Sequence, residues 1–159
     1  MVDPSRILVR AARPADADQV ARLATALATS FPFDRASFET SFPDLITAQD
    51  GCLLVAADRD DCLGYLLGFR HLTFYANGPV GWVEEIMVRE QHRQAGIGRA
   101  LMSAFERWAS GQGCALVALA TRRAAPFYRA LGYQESAAYL RKVLKNDAAG
   151  LTDRLQEGS

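Results

Sequence analysis

The chain has 159 residues, half of them hydrophobic, and its 18 lysines and arginines balance its 18 aspartates and glutamates. That length suits one domain with a single core and excludes two catalytic domains. The charge balance excludes a general attraction to nucleic acid or to an acidic membrane surface, so neither is expected as a partner, and any cation preference must be local.

In chain order, Ile7 to Ala11 reads as a short first strand. Arg13-Pro14-Ala15-Asp16 then marks a helix start, with Val20, Leu23, Ala24 and Leu27 at helical spacing. Phe31-Pro32-Phe33-Asp34 breaks that helix, and Asp34 can cap a second one through Phe38, Phe42 and Leu45 or Ile46. Gly51 to Ala57 and Cys62 to Thr73 flank the polar turn Asp58-Arg59-Asp60-Asp61, as in an antiparallel hairpin. Asn77-Gly78-Pro79 turns the chain into Val80 to Val88. A helix follows from near Arg99, with an apolar stripe of Ala100, Leu101, Ala104, Phe105 and Trp108, and stops at Gly111 and Gly113. Ala115 to Ala120 reads as a strand of the buried kind, Ala124 to Leu131 as a short helix, and Tyr133 to Val143 as a final strand. The expected order is β-α-α-β-β-β-α-β-α-β, an α/β single domain over residues 1–144 with helices on both faces of a mixed sheet. Residues 145–159 are expected to form a polar tail.

Cys52, Cys62 and Cys114 are odd in number, lack CxxC spacing and lie in apolar sequence, which points to small core residues and away from a disulfide framework or zinc site. His71 and His92 are single and far apart, so no metal site is expected. No apolar run approaches the ~20 residues of a membrane span. Met1 to Arg13 lacks the unbroken apolar stretch of a signal peptide, and a cytoplasmic location is the default.

The most informative segment is Arg93-Gln94-Ala95-Gly96-Ile97-Gly98, between the apolar run Ile86-Met87-Val88 and the helix. Two glycines allow a tight turn with exposed amides, and the helix aims its positive dipole end and its unpaired first-turn amides at the same point. A phosphorylated ligand is the expectation. Two familiar phosphate loops fail the spacing. A dinucleotide fingerprint needs Gly or Ala where Leu101 stands, and after Gly111-Gln112-Gly113 where Leu116 stands; a P-loop needs Gly-Lys-Ser/Thr, which is absent.

The loop resembles instead the Arg/Gln-x-x-Gly-x-Gly/Ala pyrophosphate grip of the GCN5-related N-acetyltransferases. Ala125-Pro126-Phe127-Tyr128-Arg129-Ala130-Leu131-Gly132-Tyr133 is similar to that family's Phe-Tyr-x-x-x-Gly-Phe/Tyr segment. The resemblance covers roughly residues 6–144. It implies a mixed, mostly antiparallel sheet of six to seven strands, acetyl-CoA as acyl donor with no metal, and a primary amine of a small molecule or peptide as acceptor. A homodimer is compatible with it. Implied coenzyme contacts are the backbone of Ile86, Met87 and Val88, and the loop Arg93, Gln94, Ala95, Gly96, Ile97, Gly98 and Arg99. The sheet of the family splays open at this strand, a gap that the sequence does not show.

Acetyl transfer needs a free amine and a proton for the departing thiolate. Glu84 and Glu85, just upstream of the coenzyme strand, are the best-placed acids, and strand alternation lets only one face the cleft unless a bulge intervenes. The resemblance favours Glu84 as base, with Glu85 second, and assigns Tyr128 as the proton donor. Phe127 and Tyr133 read as core. One departure stands out: where many members carry an Asn after the fifth strand, this chain has Thr121-Arg122-Arg123. An acceptor wall would draw on Phe31, Phe33, Phe38, Tyr65, Phe74, Tyr75 and Trp82, of which Phe38 and Tyr65 are favoured as core. A coenzyme-binding module without catalysis, or transfer of another acyl group, is the alternative the same cradle permits.

Overall fold

A computed structural model describes residues 2–28 and 30–145. Its strands are β1 (Ile7–Ala11), β2 (Gly51–Asp58), β3 (Asp61–Leu72), β4 (Pro79–Val88) and β5 (Leu116–Leu119). Helices α1 (Ala17–Leu27) and α2 (Arg35–Thr47) precede β2, α3 (Ile97–Gly111) joins β4 to β5, and α4 (Ala125–Ala130) follows β5. The strands lie in the order β1-β2-β3-β4-β5, antiparallel except for the parallel β4–β5 pair, which needs the α3 crossover.

Side-chain alternation along β2 builds a core on each face of the sheet. Cys52 and Ala56 face α3 with Leu63, Leu66 and Val83, while Leu53 and Val55 face α1 and α2 with Cys62, Tyr65 and Leu67. Helix α3 contributes Ile97, Leu101, Met102 and Phe105, all essentially unexposed, each stabilising the fold by about 2 kcal/mol through burial. Phe105 lies so close to β3 that a Cβ added at Gly68 would stand 2.3 Å from its ring.

The first helices are fixed by side-chain oxygens. Asp16 accepts the Arg13 amide at 2.7 Å and a two-pronged grip from Arg10 at 2.7 and 2.9 Å, which ties the end of β1 to the start of α1. Asp34 caps α2 by accepting the Ser37 amide at 2.9 Å, as its position predicts. Cys52 and Cys62 are buried, and burial pushes their thiols up to about 12 and about 11. Cys114 is half-buried.

Two expectations fail. Tyr133 to Val143 forms no strand, so among the described residues the sheet has five strands where six to seven were expected. An alternating apolar pattern permits a strand but cannot supply a partner, and residues 134–142 are exposed. The second concerns β5, read as buried; it is an edge strand, and Leu116 is 41% exposed. Beyond Lys145 the expected tail lies outside the described residues.

Candidate active site

The sheet opens at one place. β4 and β5 pair only from Val80 with Leu116 to Val83 with Leu119, after which β5 ends while β4 runs on to Val88. Glu84 to Val88 therefore keep a strand partner on the β3 side alone, and every second backbone group on the other side is free to bond a ligand. A cleft of about 540 Å³ occupies the split, lined by Glu84, Glu85, Ile86, Thr121, Arg122 and Tyr128, with Phe31 from the α1–α2 connection.

A β-bulge stands at the mouth of this split. Leu67 pairs with Glu85 and its neighbour Gly68 with Val83, so Glu84 is the extra residue of β4. The bulge gives the two glutamates different surroundings. Glu84 is exposed, and its Oε2 accepts the Trp82 indole N–H at 2.8 Å. Glu85 is half-buried opposite Leu67, on the α1–α2 side. Burial, and secondarily the Glu84 charge, raise its pKa above the ordinary carboxylate value.

Tyr128, on α4, is the buried aromatic of the cleft. It is 7% exposed and held edge-on by Phe127 at 5.0 Å and Tyr133 at 5.9 Å. Burial raises its phenol pKa, so the side chain is a proton donor at neutral pH.

The loop after β4 has the geometry of an anion cradle. Gln94 and Gly96 both adopt left-handed backbone, φ 65° and 82°. The Arg93 amide donates to Glu90 O at 3.2 Å and the Ala100 amide to Gly96 O at 3.0 Å; between them no amide has a well-aligned backbone acceptor among the described residues. Amides from Gln94 to Arg99, at the N-terminus of a helix of 15 residues, thus remain open to an anionic group. Gly96 meets the backbone requirement expected of it, and nothing lies within 4 Å of its absent Cβ. Gly98 is small for another reason: an added Cβ would stand 3.2 Å from the Phe127 ring. Phe127, read as core, is 37% exposed and stands beside the loop.

Other predicted residues separate. Arg93 turns its guanidinium back onto β4, with Nε donating to Val88 O at 3.2 Å and Nη2 3.7 Å from Met87 Sδ. It lines a second concavity, of about 520 Å³, with Gln19, Arg22 and Met87 on the α1 side. Arg99 is exposed. Ile86 and Val88 pack toward α3 and Met87 toward α1 and α2, so their shared feature is backbone. Of the aromatics proposed for an acceptor wall, Phe31 lines the cleft, Tyr65 is buried core and Phe38 stacks between Phe33 and Phe42. Phe74 and Tyr75 lie at the β3–β4 turn, at the other end of β4, fully and largely exposed, and cannot line it. Arg141 reaches the cleft and was missed, because its segment read as an ordinary strand. Among the described residues no group of three or more His, Cys, Asp or Glu side chains is placed to hold a metal ion. No helix among them is long and apolar enough to cross a membrane.

A split between parallel strands, a bulge and an amide-lined loop before a long helix define the candidate site. The acetyltransferase (GNAT) family profile matches residues 19–133, and the chain belongs to that family. It is 31% identical over 151 residues to an aminoglycoside N(6')-acetyltransferase type 1 of Stenotrophomonas maltophilia, covering 88% of this chain and 95% of that protein. A transcriptional regulator from Bacillus halodurans C-125 superposes with a TM-score of 0.79 at 21% identity, over 87% of this chain and 99% of that one. AAC(6')-Iy bound to a CoA bisubstrate analogue superposes at 0.73 with 21% identity, over 87% and 99%. These two likenesses are of fold.

Proposed function

We propose that this protein transfers the acetyl group of acetyl-CoA to a primary amine of a small molecule, and that aminoglycosides are the first acceptor class to test. The observation that carries the proposal is the split between β4 and β5, a cleft lined by Glu85 and Tyr128 along the free β4 edge, with the open amides of Gln94 to Arg99 on the loop that follows β4. The residues fit the coenzyme: the loop amides suit its pyrophosphate and the free strand edge suits the amides of its pantetheine arm. When bound, acetyl-CoA supplies an activated thioester carbonyl.

The rest is done by this chain. An amine of ordinary basicity arrives protonated, and a carboxylate, directly or through one water, removes that proton. Glu85 is the better base, because its raised pKa matches it to the task, whereas Glu84 already accepts the Trp82 indole. That reverses the order expected from resemblance. Tyr128 donates its phenolic proton to the departing sulfur. The aminoglycoside class rests on the 31% identical relative and on the acidic pair at the cleft.

The test is coenzyme A release from acetyl-CoA against a panel of primary amines headed by aminoglycosides, with wild type and Tyr128→Phe. Turnover with at least one amine, strongly reduced in the variant, is expected. Tight binding of acetyl-CoA without turnover on the panel would identify a binding module, and failure to bind acetyl-CoA would end the assignment.

A further inference from the structure

Tyr65 carries a hydroxyl that the fold leaves unpaired. The residue is 1% exposed, and its Oη is buried with no hydrogen-bond partner among the described residues. An unpaired buried hydroxyl is costly, and phenylalanine would fill the same space without it. Its neighbours are apolar: Val20 and Leu23 of α1, Phe42 of α2, Val55 of β2 and Leu67 of β3. Cys62, in the same cluster, gives its thiol proton to Gly64 O at 3.4 Å.

The strand register points to an acceptor. Tyr65 pairs with Met87 and Leu67 with Glu85, and Tyr65, Leu67 and Met87 all turn to the α1–α2 face. Glu85, two residues before Met87, shares that face, so Tyr65 and Glu85 are diagonal neighbours across β3 and β4. Diagonal Cβ atoms stand about 7–8 Å apart, within reach of an aromatic side chain. Burial, and secondarily the Glu85 charge, raise the Tyr65 pKa, so the two groups sense each other and the phenol stays protonated. No other charge competes on this face: Asp18 and Arg22 of α1 and Arg35, Glu39 and Asp44 of α2 are all exposed. Glu84 acts on Glu85 from its own strand, and Arg122, Arg141 and Tyr128 share its cleft.

We propose that Tyr65 positions the base, its hydroxyl donating toward the Glu85 carboxylate through one water; the inference rests on the reading of Glu85 as that base. The two side chains make no direct hydrogen bond, and a water spans such a separation. The water takes the proton of the arriving ammonium and yields one of its own to Glu85, so the amine is freed to attack the thioester and the water is unchanged. Tyr65 keeps its proton throughout. Because its bond favours the ionised carboxylate, Tyr65 opposes the burial that raises the Glu85 pKa.

The experiment compares wild type, Tyr65→Phe, Glu85→Gln and the double variant. Carbon NMR titration of labelled glutamate carboxyls, with the Glu85 signal assigned by its loss in Glu85→Gln, reads the Glu85 pKa without reference to turnover. In Tyr65→Phe that pKa should rise by about 1 or more. The acidic limb of kcat/KM should move up with it, and kcat should fall about tenfold with KM for acetyl-CoA unchanged. At alkaline pH, Tyr65→Phe should lower Tm in the wild-type background, and lower it less in Glu85→Gln, where the ionised acceptor is gone. An unmoved Glu85 pKa overturns the proposal whatever the activity does, as does an equal Tm change in both backgrounds. A pKa that rises with no matching movement of the acidic limb shows that Glu85 is not the base, and removes the positioning role with it.

Discussion

Glu84 and Glu85 are neighbours in sequence and opposites in environment: Glu84 is exposed and bonded to the Trp82 indole at 2.8 Å, whereas Glu85 is half-buried across from Leu67 with a raised pKa. The bulge at Glu84 produces the difference, since it places one carboxylate in solvent and turns the next toward the α1–α2 side of the split.

Glu85→Gln should therefore lower kcat/KM by about 10²–10⁴-fold, the range of a lost general base. Glu84→Gln should cost less than about tenfold. The base works ionised, so activity falls as pH drops through its pKa. Because burial raises that pKa, the acidic limb of the wild-type profile should lie above the ordinary value of 4.5. A pH profile of kcat/KM for the three proteins checks this, and a larger loss in the Glu84 variant would return the role to Glu84.

Tyr128→Phe removes one hydroxyl from a ring that is otherwise fixed by Phe127 and Tyr133. The fold and coenzyme affinity should survive, and kcat should fall by about 10²-fold as proton donation is lost. Since burial moves the phenol further from ionisation, wild type should show no alkaline limb from this residue at or below its ordinary pKa of 10. Comparing acetyl-CoA titrations with turnover separates the two effects.

Gly96→Asp and Gly98→Ala probe different demands on one loop. At Gly96, with φ 82°, a side chain costs about 1–2 kcal/mol of backbone strain, and the carboxylate adds a negative charge beside the amide cradle. Coenzyme Kd should rise at least ~tenfold. At Gly98 the new methyl meets a half-exposed Phe127 ring at 3.2 Å that can shift, so a few-fold change is expected. Calorimetric titration with coenzyme A reads both, and equal affinities would show that the loop is not the phosphate site.

Much of this was legible because it depends on local chemistry. Asp34 caps a helix wherever it precedes one, left-handed Gly96 is written as glycine, and the apolar stripe of α3 is set by helical period. Three features depend on partners distant in sequence. The split at Val83 requires knowing where β5 stops, and the bulge requires the register of Leu67 against Glu85. The loss of a final strand requires knowing that residues 133–143 find no edge among the described residues. Alternation reports which residues suit a sheet, and it is silent on which strand they meet.

Asp16 supplies a last prediction, on stability. Asp16 is 6% exposed and its carboxylate takes both prongs of Arg10 and the Arg13 amide, so Asp16→Asn leaves a half-buried guanidinium short of its counter-charge. The expected cost is about 3 kcal/mol, or about 10 °C in Tm. The sign with pH follows from the Arg10 hydrogen bonds, which hold the Asp16 pKa below its ordinary 3.8. A depressed carboxylate contributes its full stability above the unfolded value and loses it as pH falls through the folded one. The gap between wild type and variant should therefore be constant from about pH 5 to 8 and shrink only below about pH 4. Thermal melts across that range check it. A gap that closed near pH 6 would mean that the carboxylate is not ion-paired, and that β1 is joined to α1 by packing alone.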